Sequence, residues 1–546
     1  MKTAIDSTDP RGLPKQRIRK RRVGLTGRIL LVIAVIVTFG WMIRSDILWT
    51  EFDTAERNAY VQLESWQDAL TVEYLLTREL VPCLTYFAEK AIPLPTAAVH
   101  RSINIALHLT AAFLLLLFLQ RQNLSGAYAA TLVFALHPAV SQTLFWPGYR
   151  AELIGLCAIL VALILSQLTK RDHYLLSIFA TILAIFLHPA AVFLPAFLAL
   201  SIYYREKDFS LENFNAVLPL ICAALLISAW MQSQGVIGRE TSPRLQVWLF
   251  YAGQNVYFFL RQALYPHSPS LFYPCESDAL EQASIDLSLL PFCLFLPFYF
   301  IAFIKLRRPW GRALLFGLTS FILLLLPGIQ SPGTNLAGDP AHEDYHLYIA
   351  LPPLIALIVC GTKTIMGRVA VTGRSLWYVS LVLYLSLEFI NSANFSRVLG
   401  NPVEMWREQA RQWPEQWIPS AALARTIQSQ SDAPQKQREI KRILEALIKK
   451  HPDRTPERRM LLQAYIDTGE NTNALREYRY ILRETEPGIA FMKEAASFFD
   501  SINLPREAVR TRERIRQVQE PAPERPAEKP SAAILLEDLA GKVTGP

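Results

Sequence analysis

The chain has 546 residues, 51% of them hydrophobic and 19% charged, with a formal net charge of +8. Soluble domains carry nearer a quarter charged residues, and the apolar residues here are clumped in runs such as AAFLLLLFL and AILVALILS that leave no polar face, so a soluble globular protein is excluded. The positive charge does not describe a nucleic-acid binder either. It is concentrated in KQRIRKRR, directly before the first apolar segment, and in short loops between later ones, where the positive-inside rule places it in the cytoplasm.

About 20 apolar residues are needed to cross roughly 30 Å of hydrocarbon with the backbone satisfied internally. In chain order, eleven segments qualify: 24–43, 103–119, 126–145, 151–168, 173–188, 189–204, 216–232, 288–305, 312–328, 346–361 and 375–392. Residues 1–23 form a cytoplasmic basic tail, and residues 24–395 a transmembrane domain. Alternation puts Lys170, Arg171, Arg205, Lys207, Lys305, Arg307, Arg308, Arg312, Lys363, Arg368 and Arg374 on the cytoplasmic side. The large loops 44–102 and 233–287 then lie outside, as does everything beyond residue 395. The second loop contains WLFYAGQNVYFFLRQALYP, too polar to span and predicted to be an interfacial or re-entrant helix. The first span follows a polar tail without a small-residue cleavage site, so it reads as a retained anchor. The six cysteines show no metal-ligand spacing. Cys83 and Cys275, one in each external loop, are the pair placed where a disulfide survives.

Residues 396–520 change character, becoming rich in Arg, Glu and Gln. The stretch LLQAYIDTGENTNALREYRYILRETEP matches the tetratricopeptide pattern of Ala and Tyr in a first helix, Gly at the turn, Ala in the second helix and a closing Pro. Pro452, Pro487 and Pro521 recur at about the 34-residue period of that repeat. Residues 521–546 read as a Pro-rich disordered tail. The fold class is therefore all-α, a polytopic helical bundle followed by a tetratricopeptide-like helical-repeat domain.

Several stretches of the membrane half occur in an order that resembles the transmembrane and tetratricopeptide-repeat proteins of the GT-C glycosyltransferase superfamily and their bacterial relatives. FDTAERNAY with LESWQDAL is similar to the acidic start of the family's first external loop. HRSINIALHLTAAFLLLLFL, FALHPAVSQTLFWPGYRAELIGL, LYPHSPSLFYP, DYHLYIALPP and NPVEMWREQARQWPEQWIPSAALA follow in the family's sequence of motifs. The resemblance implies transfer of a sugar from a polyprenyl-phosphate donor to a hydroxyl of a protein or glycan acceptor, at the non-cytoplasmic membrane face. It requires no cofactor beyond that donor, and a divalent ion at Asp53 is compatible with it. The repeats would hold the acceptor, the bundle would hold lipid, and the setting that fits is a bacterial inner membrane with a periplasmic tail.

Residue by residue, the resemblance implies that Asp53, soon after span one, is the base, with Glu51 and Glu56 next in line. A carboxylate at the water boundary can take a hydroxyl proton as the sugar leaves its phosphate. The plain alternative is a solvated loop acid or helix N-cap. Arg150 and Glu152 match the family's Gly-Arg-x-Asp, where a guanidinium can grip phosphate with two parallel hydrogen bonds. A snorkelling arginine paired with an acid is the competing reading. His137, before Pro138, lies near the same end, where it can equally touch substrate or phosphate or simply pack and hydrogen-bond. The family's Ser-Lys-Glu is Leu187-His188-Pro189 here, Gln142 replaces a glutamate, and Tyr345 replaces a basic residue. A phosphate site would then be rebuilt from Arg150, His188, His342 and His346. These departures keep a second reading open, a non-catalytic membrane-anchored repeat scaffold that assembles external partners. A transporter or flippase is a third, disfavoured by large external loops and by the lack of clear inverted repeats.

Overall fold

The computed structural model describes residues 23–44, 96–167, 171–206, 211–233, 245–265, 290–329, 344–430 and 434–519. It also describes short pieces at 84–85, 88–89, 92, 270, 273–274, 333–334 and 340–342. By packing, the chain divides into two compact units, 1–409 and 410–546.

In the first unit the helices are α1 (Leu25–Phe39, continued by a 3₁₀ turn Gly40–Arg44), α2 (Thr96–Arg121), α3 (Ala127–Leu136), α4 (Val140–Phe145), α5 (Arg150–Leu165), α6 (Arg171–Leu187) and α7 (Leu194–Glu206). They are followed by α8 (Leu211–Ser233), α9 (Leu245–Leu264), α10 (Leu290–Ile304), α11 (Pro309–Ile329), α12 (Tyr345–Met366), α13 (Ala370–Leu399) and α14 (Pro402–Gln412). The predicted interfacial helix is α9. The described residues are almost wholly helical, the exception being a small antiparallel sheet of β1 (Tyr273–Pro274), β2 (Gly333–Thr334) and β3 (Pro340–His342) in the order β1-β3-β2.

Five helices are long and apolar enough to cross a membrane, Leu25–Arg44, Ala97–Arg121, Pro309–Ile329, Tyr345–Met366 and Val371–Leu399. Others, among them Ala127–Leu136 and Leu175–Leu187, are equally apolar but shorter. The expected span 126–145 is broken in two. Pro138 has no N–H to donate and bars the preceding residue from helical geometry, so His137 is extended, with φ −63° and ψ 130°. At the centre is α12, which packs against α3, α4, α5, α9, α11 and α13. Its side chains from Leu347 through Leu351 are all buried.

In lipid a broken helix must find partners for its freed carbonyls. Here His108 Nε2 on α2 meets Ala135 O at 3.1 Å, and Ser392 Oγ on α13 donates to Leu136 O at 2.7 Å. Each of these comes from a stripe of buried polar residues on one helix face, spaced four apart. On α2 the stripe is His100, Asn104 and His108; on α13 it is Glu388, Ser392 and Ser396.

The second unit begins beyond α13, which runs past the expected boundary at residue 395. Its helices are α15 (Trp417–Gln430), α16 (Pro434–Lys450), α17 (Thr455–Asp467), α18 (Asn471–Glu484), α19 (Ile489–Ser501) and α20 (Pro505–Gln519). They pack as hairpins, α15 on α16, α17 on α18 and α19 on α20. The last two hairpins repeat at 34 residues. Buried Leu461, Leu462, Tyr465, Ala474 and Ile481 recur as buried Ala495, Ala496, Phe499, Ala508 and Ile515. The turns match as well. Gly469 and Asn503 both take positive φ, +74° and +66°, and the next residue in each case donates its N–H back to the preceding helix, Glu470 to Tyr465 O and Leu504 to Phe499 O, both at 2.8 Å. A left-handed residue closing a helix in this way satisfies the orphan carbonyls of its last turn.

Candidate functional site

The polar stripe of α2 leads to the N-terminus of α5, where the chain turns through Pro147–Tyr149 between α4 and α5. Arg150, the first residue of α5, is fully buried, and its guanidinium is shared among four neighbours. Nε donates to Asn104 Oδ1 at 2.9 Å, Nη2 to His100 O at 3.2 Å, and Nη1 to Thr85 Oγ1 at 2.8 Å and to the Glu89 carboxylate. Glu89, only 4% exposed, places its other oxygen on His100 Nδ1. Asn104 Nδ2 closes the group by donating to Leu144 O at 3.2 Å and Trp146 O at 3.4 Å, the carbonyls left open where α4 ends. Beside it, the Arg101 guanidinium lies 4.5 Å from the Phe145 ring centroid.

Thr85 and Glu89 belong to the first loop, the segment between α1 and α2. The cluster is therefore a latch: a buried carboxylate of that loop held by a guanidinium and an imidazole of the bundle. Removing one member of such a pair leaves an uncompensated buried charge, at a cost of about 3–5 kcal/mol. Sequence reasoning singled out Arg150 but missed Glu89, His100 and Asn104. A signal for the last two was present, because polar residues at intervals of four in an apolar helix must face the bundle interior. Glu89 carries no such signal.

Next to Arg150, the Tyr149 ring stacks on Tyr345 with centroids 4.0 Å apart and planes inclined by 16°. Tyr345 in turn meets the His346 ring at 3.9 Å. All three are half-buried. Gln142 Oε1 accepts the Tyr345 N–H at 3.0 Å and so satisfies one of the free donors at the start of α12. One residue before Tyr345, Asp344 Oδ2 accepts the hydroxyl of Tyr273, from the second loop, at 2.8 Å. Burial, with the Asp344 charge beside it, pushes the Tyr273 hydroxyl well up, so it remains a donor. Both large loops are thus tied to the same end of the bundle.

No protein-family model, curated protein or solved structure matches the chain. The chemistry of the site rests on its geometry.

Two of the candidate ligands, His137 and His188, hold backbone. His137 and His188 each precede a Pro-Ala, and in both the ring Nδ1 accepts the alanine N–H two residues on, from Ala139 at 3.2 Å and Ala190 at 3.1 Å. Those contacts assign the proton to Nε2. In His137 it is donated to Ala263 O at 3.3 Å, with Glu388 at 3.8 Å. In His188 it faces Glu152 Oε2 at 2.9 Å. Glu152 therefore meets His188 across two helices, while Arg150 meets Glu89. His346 stands at the aromatic patch, and His342 lies in β3 opposite Tyr273. Asp53, Glu51, Glu56, Cys83 and Cys275 lie outside the described residues. Among the described residues no three His, Cys, Asp or Glu side chains gather as a metal site.

Proposed function

We propose that this protein is an integral-membrane glycosyltransferase. It moves a sugar from a polyprenyl-phosphate carrier to a hydroxyl of a protein or glycan at the non-cytoplasmic face. In this reading eleven segments span a bacterial inner membrane, and the 34-residue helical hairpins are tetratricopeptide-like repeats that hold the acceptor in the periplasm. The observation that carries it is the Glu89–Arg150–His100 latch, which ties the acid-bearing first loop to the bundle at one fixed place.

The chemistry is the one that the resemblance implies. Asp53, with Glu51 as second choice, takes the proton of the acceptor hydroxyl as its oxygen attacks the anomeric carbon. The bond from that carbon to the phosphate oxygen breaks, the carrier leaves as a phosphate, and configuration inverts because base and leaving group lie on opposite sides. The Tyr149–Tyr345 pair offers ring faces, negative by their quadrupole, to the C–H side of a sugar. Arg150 is committed to Glu89, Thr85, Asn104 and His100, so it orders the loop, and His346 beside the platform is the basic residue assigned to the phosphate.

Two observations favour a second reading, the repeat scaffold. Every donor group of Arg150 is used within the protein, and a hollow in the second unit is lined by Arg459, Leu462, Gln463, Ala490, Phe491 and Glu494. A glycan profile of external proteins, with and without the chain, separates the two. The transferase reading expects a glycan to be lost on deletion and not restored by Asp53→Asn. An unchanged profile in the deletion strain favours the scaffold.

A further inference from the structure

A second charged site lies where α1 and α13 end together. Trp41, in the turn that closes α1, is partly exposed and faces two guanidiniums. Arg44 Cζ is 4.4 Å from its ring centroid and Arg397 Cζ, on α13, is 5.4 Å away. Their separation is bounded by the sum of the two distances, 9.8 Å. Both arginines are exposed, and among the described residues neither has a carboxylate in ion-pair range. The two helix ends are held close by Gly400, where a Cβ would come within 2.8 Å of Trp41 O. Two exposed guanidiniums no more than 9.8 Å apart beside one ring form a positive patch that attracts an anion.

The surface running away from the pair identifies that anion. On α1, Ile33, Val37, Trp41 and Arg44 follow each other at intervals of three or four, as do Leu383, Leu387, Ile390 and Arg397 at intervals of three, four or seven on α13. The apolar members of both stripes are exposed. Each arginine therefore stands at the end of an apolar helix face, at the height where headgroup phosphates lie. A free phosphate has no use for the stripes below. We infer that Arg44, Arg397 and Trp41 form a binding site for one anionic phospholipid, its phosphate between the guanidiniums and its chains along α1 and α13. No residue of the latch or of the tyrosine platform takes part, so this site is separate from the proposed transferase centre.

The test is native mass spectrometry of the full chain purified in detergent, titrated with dioleoyl phosphatidylglycerol or dioleoyl phosphatidylcholine. One phosphatidylglycerol should be retained in preference to phosphatidylcholine, and Arg44→Gln with Arg397→Gln should cut that preference at least about tenfold, since two charge-assisted contacts are lost. Arg44→Lys with Arg397→Lys keeps the charge without the fork, and should fall between the two. It also decides the matter should the glutamine variant fail to fold. Equal retention by the wild type and the lysine variant, or no preference for the anionic lipid in the wild type, overturns the proposal. Release of the lipid by millimolar inorganic phosphate also overturns it, by exposing a general anion site. No step of the assay involves sugar transfer, so its failure and that of the transferase reading are distinct.

Discussion

Arg150 illustrates how a residue's place can be legible in the sequence while its neighbours are not. Its position at the head of α5 is legible in the sequence, because an arginine after Pro-Gly-Tyr at the start of an apolar run marks a membrane end. Its partner is not, because Glu89 is 61 residues away in a loop, and no periodicity relates the two. The same holds for His137 and His188. Only the folded chain assigns their ring nitrogens. Removing the loop's carboxylate should therefore be costly. Glu89→Gln is expected to destabilise the fold by about 3–5 kcal/mol, as a buried guanidinium loses its counter-charge. Asn104→Ala should cost about 1–3 kcal/mol through the carbonyls it leaves open. Thermal unfolding of the purified protein measures both. Wild-type midpoints in both variants would mean that the latch does not hold the loop.

At the scale of elements, the turns of the second unit give the most exact comparison. Gly469 and Asn503 occupy equivalent positions with φ of +74° and +66°, a region that glycine enters freely and asparagine at some cost. Asn503→Gly should be neutral to stabilising by up to about 1 kcal/mol, whereas Gly469→Val should cost about 1–2 kcal/mol. Pulse proteolysis of the full chain, following cleavage between 434 and 519, reads each change. A destabilising Asn503→Gly or a neutral Gly469→Val would show that the two turns are not equivalent. A 34-residue period was legible in the spacing of Pro452, Pro487 and Pro521, and in the structure the same period relates buried Ala474 to Ala508 and Tyr465 to Phe499. The break within 126–145 was less so, since hydropathy runs on through His137-Pro138 although the backbone does not.

The same unit has a predictable response to acid. The Lys441 ammonium hydrogen-bonded to Glu470 holds that carboxyl below the usual carboxylate range, and the Arg479 guanidinium does the same for Glu507. A carboxyl depressed in the folded state contributes stability that is complete above its unfolded pKa, about 4.3. That contribution is lost as the pH falls through the lower folded value. Resistance of the second unit to pepsin should thus be level down to about pH 5 and fall below about 4.3. Because these pairs are largely exposed, 0.5 M salt should flatten the response. A second unit that resists pepsin equally at pH 5 and pH 2 would contradict this assignment.

For the molecule as a whole, the basic loops of the sequence give an expected orientation, and side-chain contacts tie both large loops to one end of the bundle. The latch, the tyrosine platform and the Tyr273–Asp344 contact gather both large loops at one end of the bundle. That end is the external one in the topology read from charge. A reporter active only in the cytoplasm, fused after residue 430, should be silent, and activity there would reverse the orientation. The most direct test of the central claim is transfer by the purified full chain in liposomes. A radiolabelled sugar on a polyprenyl-phosphate donor would be supplied with extracted external proteins as acceptor. The account predicts label in the acceptor with the wild type, and a loss of 10²–10⁴ in rate with Asp53→Asn at equal incorporation of protein. Wild-type transfer undiminished in both Asp53→Asn and Glu51→Gln, or no transfer by the wild type from any polyprenyl-phosphate sugar tried, would contradict it.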